Sequence, residues 1–185
     1  MATDGRTGLS IRTATPDDAL CIGVLGMQVF LDTYASDGIR PAIAREATSG
    51  FAIERIAAAI ADAERVFLLA QRQGHLIGFA QLTRRASHEL VAATDAAELD
   101  KLYVQERFTG TGVGGALLAE AEDHAARWGC TALWLTAWIH NTRALAFYRR
   151  RGYEERGSTL HVFEAESHEN RLFVKALDRA ATRSS

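Results

Sequence analysis

The segment with the clearest chemical signature is the loop ERFTGTGVGGALL at positions 106–118. Four glycines fall within six residues and precede an apolar helical pattern: Gly110, Gly112, Gly114 and Gly115. Glycine lets the backbone approach a ligand closely and adopt dihedral angles that other residues avoid. Backbone N–H groups in such a loop, placed before a helix, form a binding site for phosphate. The segment therefore predicts a ligand that carries phosphate.

Three of these glycines, Gly110, Gly112 and Gly115, also satisfy G-x-G-x-x-G, the dinucleotide pattern. That pattern normally follows its strand directly and requires an acid at the end of the next strand, where it binds the ribose. Here residues 105–109 separate Val104, at the end of the preceding apolar segment, from Gly110, and residues 137–140 read AWIH without an acid. The sequence therefore disfavours a dinucleotide.

Three other kinds of site are disfavoured because the required residues are missing from the required positions. A P-loop needs Lys and then Ser or Thr after its last glycine, but Ala116 and Leu117 follow here. A zinc hydrolase helix needs H-E-x-x-H, whereas His168 and Glu169 are followed by Leu172 at the second histidine position. The G-x-S-x-G elbow of an acyl-serine hydrolase is absent from the sequence. We expect no bound metal.

The composition is that of an ordinary globular protein, with 48% apolar and 24% charged residues in a chain of 185. This length predicts one domain over residues 8–178, with flexible ends at 1–7 and 179–185. A net charge of −2 offers no basic face for nucleic acid. Apolar runs stay below the ~18 residues that span a bilayer, and a signal-peptide pattern is missing. We expect no membrane partner.

The cysteine content indicates the compartment. Cys21 and Cys130 are too few and too far apart for a disulfide framework. Such chains are usual in reducing compartments, so we expect a cytoplasmic protein. Both thiols are expected in the core, since free cysteine is often buried.

Apolar periodicity predicts strands and helices along the whole chain. Predicted strands cover Leu9–Thr13, 66–71, 76–83, 97–104, 131–138, 158–164 and 171–177. Predicted helices cover 16–34, 41–63, 112–127 and 141–150, and Thr48 or Ser49 would cap the second half of 41–63. This order of elements gives an α/β fold of the layered α+β kind. We expect a mixed, mostly antiparallel central sheet of about six or seven strands, with helices on both faces.

Two segments taken together resemble the GNAT family of N-acetyltransferases. LYVQERFTGTGVGGALL at 102–118 resembles the family's acetyl-CoA loop, Q/R-x-x-G-x-G/A. HNTRALAFYRRRGY at 140–153 resembles the family's helix N-x-x-A-x-x-F-Y-x-x-x-G-[FY]. The order and spacing of the elements match over residues 9–177. The resemblance implies that the fourth and fifth predicted strands, 97–104 and 131–138, splay apart to hold the pantetheine arm of acetyl-CoA.

The resemblance names acetyl-CoA as the co-substrate and implies which residues bind it. The pantetheine arm would pair with a strand end, the pyrophosphate would lie in the loop, and the helix at 141–150 would complete the site. The implied residues are Leu102, Tyr103, Val104, Thr109, Gly110, Thr111, Gly112, Val113, Gly114, Asn141, Ala144 and Tyr148. Gly115 would instead ease packing in the first turn of the helix. With the motif aligned on the helix start, the sequence departs from the family at Thr109, where the family has Gln or Arg.

The implied reaction is direct attack of a substrate amine on the thioester within a ternary complex. Tyr148 would protonate the leaving thiolate, because a phenol (reference pKa ~10) is close enough to a thiol (~8.5) in acidity. The alternative is that Tyr148 only packs beside Phe147. The backbone N–H of Val104 would stabilise the oxyanion.

Glu98 is the candidate base and would act through water. Positions 98, 100, 102 and 104 share one face of their strand, so Asp100 is the rival, and a water chain is a third possibility. Glu98 could equally be a solvated edge charge or a salt-bridge partner. Tyr34 and His88 would lie on the acceptor side.

The acceptor is not readable from the sequence beyond its class. Segment 29–47 would cover the acceptor cleft, and acids near Glu98 suit a cationic small-molecule amine or polyamine better than a protein. The cluster Arg143, Arg149, Arg150 and Arg151 would serve the 3′-phosphate of the coenzyme or form a solvated face. A protein that senses acyl-CoA without turnover is the alternative function. A homodimer is compatible with the sequence.

Overall fold

The structure, a computed structural model, describes residues 2–4, 8–163 and 166–178. The chain forms two compact units. The first comprises Met1–Gln81 and Lys101–Ala121, and the second comprises Leu82–Asp100 and Glu122–Ser185. The expectation of a single domain over 8–178 stays a prediction.

The predicted flexible ends meet the structure only in part. Ala2–Asp4 form a short strand that pairs antiparallel with the next strand, and the flexibility of the ends stays a prediction. The remaining terminal residues, 1, 5–7 and 179–185, lie outside the described residues.

Five strands contribute to the first unit, in the hydrogen-bonded order β1-β2-β3-β4-β5. They are β1 (Ala2–Asp4), β2 (Leu9–Thr13), β3 (Arg65–Arg72), β4 (His75–Thr83) and β5 (Ala96–Val104). The register between β2 and β3 runs antiparallel from Leu9 opposite Arg72 to Thr13 opposite Leu68. The middles of β3 and β4 are buried without alternation, as expected for strands that are covered on both faces.

Three helices belong to the first unit: α1 (Ala19–Tyr34), α2 (Pro41–Gly50) and α3 (Ile53–Ala61). A 3-10 turn at Pro16–Asp18 precedes α1, and the N–H of Thr15 donates to Asp18 Oδ2 at 2.8 Å. The predicted cap at Thr48 or Ser49 is wrong, because both residues lie inside α2. The hydroxyl of Thr48 donates to the carbonyl of Ala44 at 2.8 Å, so it bonds back into its own helix.

The second unit contains the far end of α4 (Val113–Arg127), α5 (Thr142–Arg150) and a sheet in the order β5-β6-β8-β7. Its further strands are β6 (Ala132–Trp138), β7 (Glu154–Phe163) and β8 (Glu166–Ala176). Strands β7 and β8 form a long antiparallel hairpin around residues 164–165, which lie outside the described part. The hairpin starts earlier on β7 than predicted. Gly129, at φ 81°, follows the end of α4, as its position after the last helical turn predicted.

The two parallel strands β5 and β6 separate after a short pairing. Their register joins Ala96 to Ala132 and ends with Glu98 opposite Trp134, although β5 continues to Val104. The predicted splay is confirmed. The predicted mixed sheet with helices on both faces is also confirmed. Among the described residues the sheet has eight strands, one more than expected, because β1 adds an edge that is only three residues long.

The core is aromatic and aliphatic in both units. In the first, the rings of Phe67 and Phe79 are fully buried with centroids 6.1 Å apart. In the second, Trp134 and Leu172 belong to one buried cluster. Each such side chain stabilises the fold by roughly 1.5–3 kcal/mol. Cys130 is buried as predicted, whereas Cys21 is exposed on α1, against the prediction.

Candidate active site

The glycine loop joins β5 to α4 in the first unit. A 3-10 turn at Glu106–Phe108 follows the strand, and α4 begins at Val113. Gly110 has φ 73° and Gly112 has φ 92°, in the region that favours glycine. A Cβ on either residue would meet no heavy atom within 4 Å among the described residues. Backbone conformation therefore requires both glycines, and the space beside them can admit a ligand.

The start of α4 provides hydrogen-bond donors at this loop. The N–H of Ala116 donates to the carbonyl of Gly112 at 3.0 Å, the first bond of the helix. Residues 113–115 precede that bond, so helix geometry offers their N–H groups no acceptor within the helix. Such groups, at the positive end of the helix dipole, bind phosphates. Gly115 lies in this first turn, as predicted, and so does Gly114.

The threonines of the loop brace it internally. Thr109 donates to the carbonyl of Glu106 twice, through its N–H at 3.0 Å and its hydroxyl at 2.8 Å. The hydroxyl of Thr111 donates to the carbonyl of Phe108 at 2.7 Å. These bonds fix the turn before the glycines and engage the Thr109 N–H and both threonine hydroxyls within the loop. Contacts of the two threonines with the coenzyme stay predictions.

The end of β5 packs closely against Gly78 of the neighbouring strand β4, a residue that the sequence analysis missed. A Cβ on Gly78 of β4 would stand 2.7 Å from the carbonyl oxygen of Tyr103 and 3.2 Å from Val104 Cγ2. The N–H of Gln105 donates to the carbonyl of Ile77 at 3.0 Å, which anchors the strand where it ends. An isolated glycine inside a strand pattern is the signal that could have identified Gly78. Leu102, like its two neighbours at this strand end, is only half-buried.

Glu98 and Asp100 lie on the same face of β5, as the alternation of residues predicted. Ala97 and Leu99 are buried, whereas Glu98 and Asp100 are half-buried on the other face. The hydroxyl of Thr83 donates to Asp100 Oδ2 at 2.8 Å, which commits part of this carboxylate to the sheet. Both acids have partners, so their service as a base stays a prediction.

Tyr148 lies on α5 in an aromatic environment within the second unit. Its ring is 5.2 Å from that of Phe147, 5.7 Å from Tyr153 and 6.1 Å from Phe173, centroid to centroid. The residue is 8% exposed, and this burial raises the pKa of the Tyr148 phenol well above its usual range. The phenol therefore stays protonated at neutral pH, which an acid must do before it acts.

The start of α5 is capped by a side chain. Asn141 Oδ1 accepts the N–H of Ala144 at 3.0 Å, so the capping that the sequence allowed for Asn141 is confirmed. The side-chain amide nitrogen of Asn141 carries N–H donors that this cap does not use. Contacts of Asn141 and Ala144 with a coenzyme stay predictions.

The comparisons with known proteins decide the family. The model of the Acetyltransferase (GNAT) family matches residues 32–153, which is most of the chain. The chain belongs to the GNAT family of acetyltransferases. It is therefore an acyltransferase that uses acetyl-CoA.

This acetyltransferase has curated relatives over most of its length. It is 32% identical over 150 residues to aminoglycoside N(6')-acetyltransferase type 1 of Stenotrophomonas maltophilia, covering 79% of this chain and 86% of that protein. It is 31% identical to the uncharacterized N-acetyltransferase YhfO of Bacillus subtilis strain 168, covering 83% and 95%. Among solved structures, PaiA N-acetyltransferase of Thermoplasma acidophilum in complex with coenzyme A matches with a TM-score of 0.68 at 21% identity, covering 88% and 97%. The structural likeness supports the fold.

The two side chains predicted on the acceptor side fall in different units. Tyr34 ends α1 in the first unit, packs its ring 4.9 Å from that of Phe30, and has a pKa raised by burial. His88 lies in the second unit, where its Nδ1 accepts the N–H of Leu90 at 3.1 Å and its ring is 5.3 Å from Trp134. Through these contacts His88 stabilises the loop to which it belongs. Roles toward an acceptor stay predictions for both.

The described residues show neither a cluster of metal ligands nor a membrane-spanning helix. They contain no group of three or more His, Cys, Asp or Glu side chains that could hold a metal ion. Nor do they include a helix with the length and apolar character needed to cross a membrane.

Two of the three arginines after Tyr148 contact other side chains. Arg149 pairs with Glu155 at 2.6 Å, and the Arg151 guanidinium lies 5.5 Å from the ring centre of Phe147. These contacts favour a solvated face over a site for the 3′-phosphate as the explanation of this arginine cluster. In the first unit, by contrast, Arg72 and Arg107 both lie over the ring of Phe108, an arrangement that the sequence analysis did not predict.

Proposed function

We propose that this acetyltransferase transfers the acetyl group of acetyl-CoA to a primary amine of a small molecule or polyamine. The observation that carries the proposal is the glycine loop, with positive φ at Gly110 and Gly112 directly before α4. This geometry suits the pyrophosphate of a coenzyme, because it offers N–H groups and leaves no Cβ in the way. The protein would act in the cytoplasm, as its two cysteines suggest.

The coenzyme supplies a thioester that an amine can attack directly. The half-buried strand end at Leu102–Val104 would bind the pantetheine arm by backbone pairing. The early end of the pairing between β5 and β6 supports this assignment, since it leaves part of β5 without that neighbour. The chemistry then requires an oxyanion donor, an acid for the thiolate and a base for the amine.

The oxyanion donor that we assign is the backbone N–H of Val104. Gly78 supports the assignment, because a side chain there would displace the carbonyl of Tyr103 and the strand with it. A fixed N–H donor costs little reorganisation as negative charge develops on the thioester oxygen.

Tyr148 is the acid that we assign to the leaving thiolate. Burial keeps the phenol protonated, so its proton is available in the resting enzyme. The raised pKa also makes the phenol a weaker acid than in water, so transfer must coincide with the development of charge on the sulfur.

Glu98 is the base that we favour, acting through water. It is half-buried on the face of β5 that also carries Asp100. Asp100 Oδ2 accepts a hydrogen bond from the hydroxyl of Thr83, which engages part of this carboxylate with the sheet, so we rank Asp100 second. The proposal includes a direct attack in a ternary complex, with no acetylated side chain as intermediate.

The acceptor class follows from similarity and charge. One relative at 32% identity is an aminoglycoside N(6')-acetyltransferase, an enzyme named for an amino group on a cationic small molecule. Exposed Glu89 and Asp95 precede β5 in this chain and would attract such a cation. Tyr34 and His88 remain the candidate side chains for contact with the acceptor.

The proposal is tested by binding and by turnover. Coenzyme A should raise the melting temperature in a saturable manner, and NAD should not. Release of free thiol from acetyl-CoA should then depend on the amine, with polyamines and aminoglycosides ahead of peptides that carry a free N-terminus. Binding of coenzyme A without thiol release for any amine would favour a sensor. Stabilisation by NAD alone would contradict the proposal.

A further inference from the structure

Two arginines of the first unit converge on one aromatic ring beside the glycine loop. The guanidinium carbon of Arg72 lies 5.5 Å from the ring centre of Phe108, and that of Arg107 lies 4.9 Å from it. Arg72 ends β3, whereas Arg107 belongs to the 3-10 turn between β5 and the loop. Two segments that are distant in sequence, a strand end and a 3-10 turn, therefore build this cluster, which we name the guanidinium pair.

The pair carries positive charge that the described residues do not neutralise. Neither arginine forms an ion pair with a carboxylate in the described part of the chain. The Nε of Arg72 is buried and makes no hydrogen bond there. Two like charges near one ring repel each other, and a buried donor without an acceptor costs free energy. An anion that accepts from both side chains would remove both penalties.

The ring holds the pair next to the loop. The carbonyl of Phe108 accepts the hydroxyl of Thr111, which lies between the two glycines with positive φ. Cation–π attraction orients the guanidinium groups at little entropic cost. At Thr109, where a basic or amide side chain would otherwise reach a phosphate, the N–H and hydroxyl both donate to Glu106. The segment 109–114 thus contributes no cation, and Arg107, which lies just before it, supplies one together with Arg72.

We propose that the guanidinium pair of Arg72 and Arg107 binds a phosphate group of coenzyme A. The inference rests on the proposed use of acetyl-CoA and adds a charged contact to the backbone donors of the loop. Guanidinium groups match phosphate oxygens with paired donors, so this contact would be stronger than a lone surface charge. Both the pyrophosphate and the 3′-phosphate present this chemistry, and the experiment distinguishes them.

The test is calorimetric titration of the full chain with coenzyme A and with 3′-dephospho-coenzyme A. Arg107→Ala is the main variant, because Arg107 is exposed and its removal should leave folding intact. Arg55→Ala is the matched control, since it removes an exposed arginine from α3 of the same unit. Arg72→Gln tests the second member of the pair.

Arg107→Ala should raise the dissociation constant for coenzyme A by about tenfold, and Arg55→Ala should leave it within twofold. If Arg107→Ala loses affinity for dephospho-coenzyme A to the same extent, the contact is with the pyrophosphate. If Arg107→Ala loses affinity only for coenzyme A, the contact is with the 3′-phosphate. Thr109→Arg added to Arg107→Ala should restore part of the affinity by replacing the cation two residues away.

The outcomes separate this inference from the proposed function. If Arg107→Ala and Arg72→Gln both bind coenzyme A as the parent protein does, the pair has no such role, and the acetyl-CoA proposal still stands. If the parent protein does not bind coenzyme A at all, both are overturned. An equal loss in Arg55→Ala would attribute the effect to net charge and would also overturn the inference.

Discussion

In the proposed site, the loop at 109–114 would offer the coenzyme backbone N–H groups, whereas α5 would offer one side chain, the phenol of Tyr148. In the loop, Gly110 and Gly112 provide dihedral angles and open space, and a helix start provides donors. In α5, burial among aromatic rings keeps one hydroxyl protonated. The comparison teaches that binding of the coenzyme and transfer of the proton can be damaged separately. Substitutions in the loop should change affinity, and substitution of the phenol should change turnover.

Tyr148→Phe should have the largest effect, a decrease in kcat of about 100-fold, because a general acid typically contributes that much. The dissociation constant for coenzyme A should stay within about twofold, since only one oxygen is removed. Steady-state kinetics and calorimetric titration measure the two quantities.

The matched control is Tyr153→Phe, which removes a neighbouring buried phenol. Its oxygen has no hydrogen-bond partner of ordinary geometry within the described residues, and burial and the nearby Glu122 carboxylate raise its pKa, so stability should change little and kcat should be retained. Equal kcat in Tyr148→Phe and the parent enzyme would exclude Tyr148 as the acid.

Gly112→Ala should raise the KM for acetyl-CoA by about tenfold with a smaller change in kcat. The substitution places a Cβ at φ 92° beside the proposed pyrophosphate site and costs roughly 1–2 kcal/mol in backbone strain. Gly129→Ala, at φ 81° after α4, is the control for strain alone. A KM that rises equally in both variants would show that strain, and not the loop's ligand, causes the loss.

Gly78→Ala should lower kcat several-fold, because the added Cβ would displace the carbonyl of Tyr103 and shift the N–H of Val104. The clash also destabilises the fold by roughly 1–3 kcal/mol. Gly23→Ala on α1 produces a similar clash, with its Cβ 2.7 Å from the carbonyl oxygen of Phe51, and serves as the control. Assays well below both melting temperatures should find a lower kcat only in Gly78→Ala, and unchanged kcat there would argue against Val104 as oxyanion donor.

The smallest expected effect is on the alkaline side of the pH profile of kcat. Because burial raises the pKa of Tyr148 above the reference value of 10.0, the phenol keeps its proton up to at least that pH. We expect no decrease in kcat from this group between pH 7 and about 10. A decrease with an apparent pKa well below 10 that disappears in Tyr148→Phe would contradict the assigned burial of the acid.

The sequence predicted most elements because their signals are local. Alternating or continuous apolar runs located β2 to β6, and the glycines located the loop and the end of α4. The strand at Ala2–Asp4 was missed because three residues carry too little pattern, and their pairing with β2 is a tertiary contact. The helix break after Gly50 was misassigned because Thr48 bonds back to Ala44 instead of capping. Propensity does not distinguish these two uses of a hydroxyl.

Some features of the candidate site are local in sequence and were predictable, whereas others depend on tertiary contacts. The positive φ angles at Gly110 and Gly112 agree with the motif, and Asn141 caps its helix as its position suggested. The role of Gly78 depends on the closeness of two strands, which the one-dimensional pattern does not contain. The pairing of Arg72 with Arg107 also depends on the fold, since β3 and the loop are distant in sequence.

The central claim is that the loop binds the coenzyme through its backbone N–H groups, and amide NMR tests this most directly. Titration of ¹⁵N-labelled protein with coenzyme A should shift the N–H resonances of Gly110, Gly112 and Gly114 in a saturable manner. NAD at the same concentrations should leave these three resonances in place. Saturable binding of coenzyme A that shifts other amides and leaves all three glycines unchanged would contradict the account.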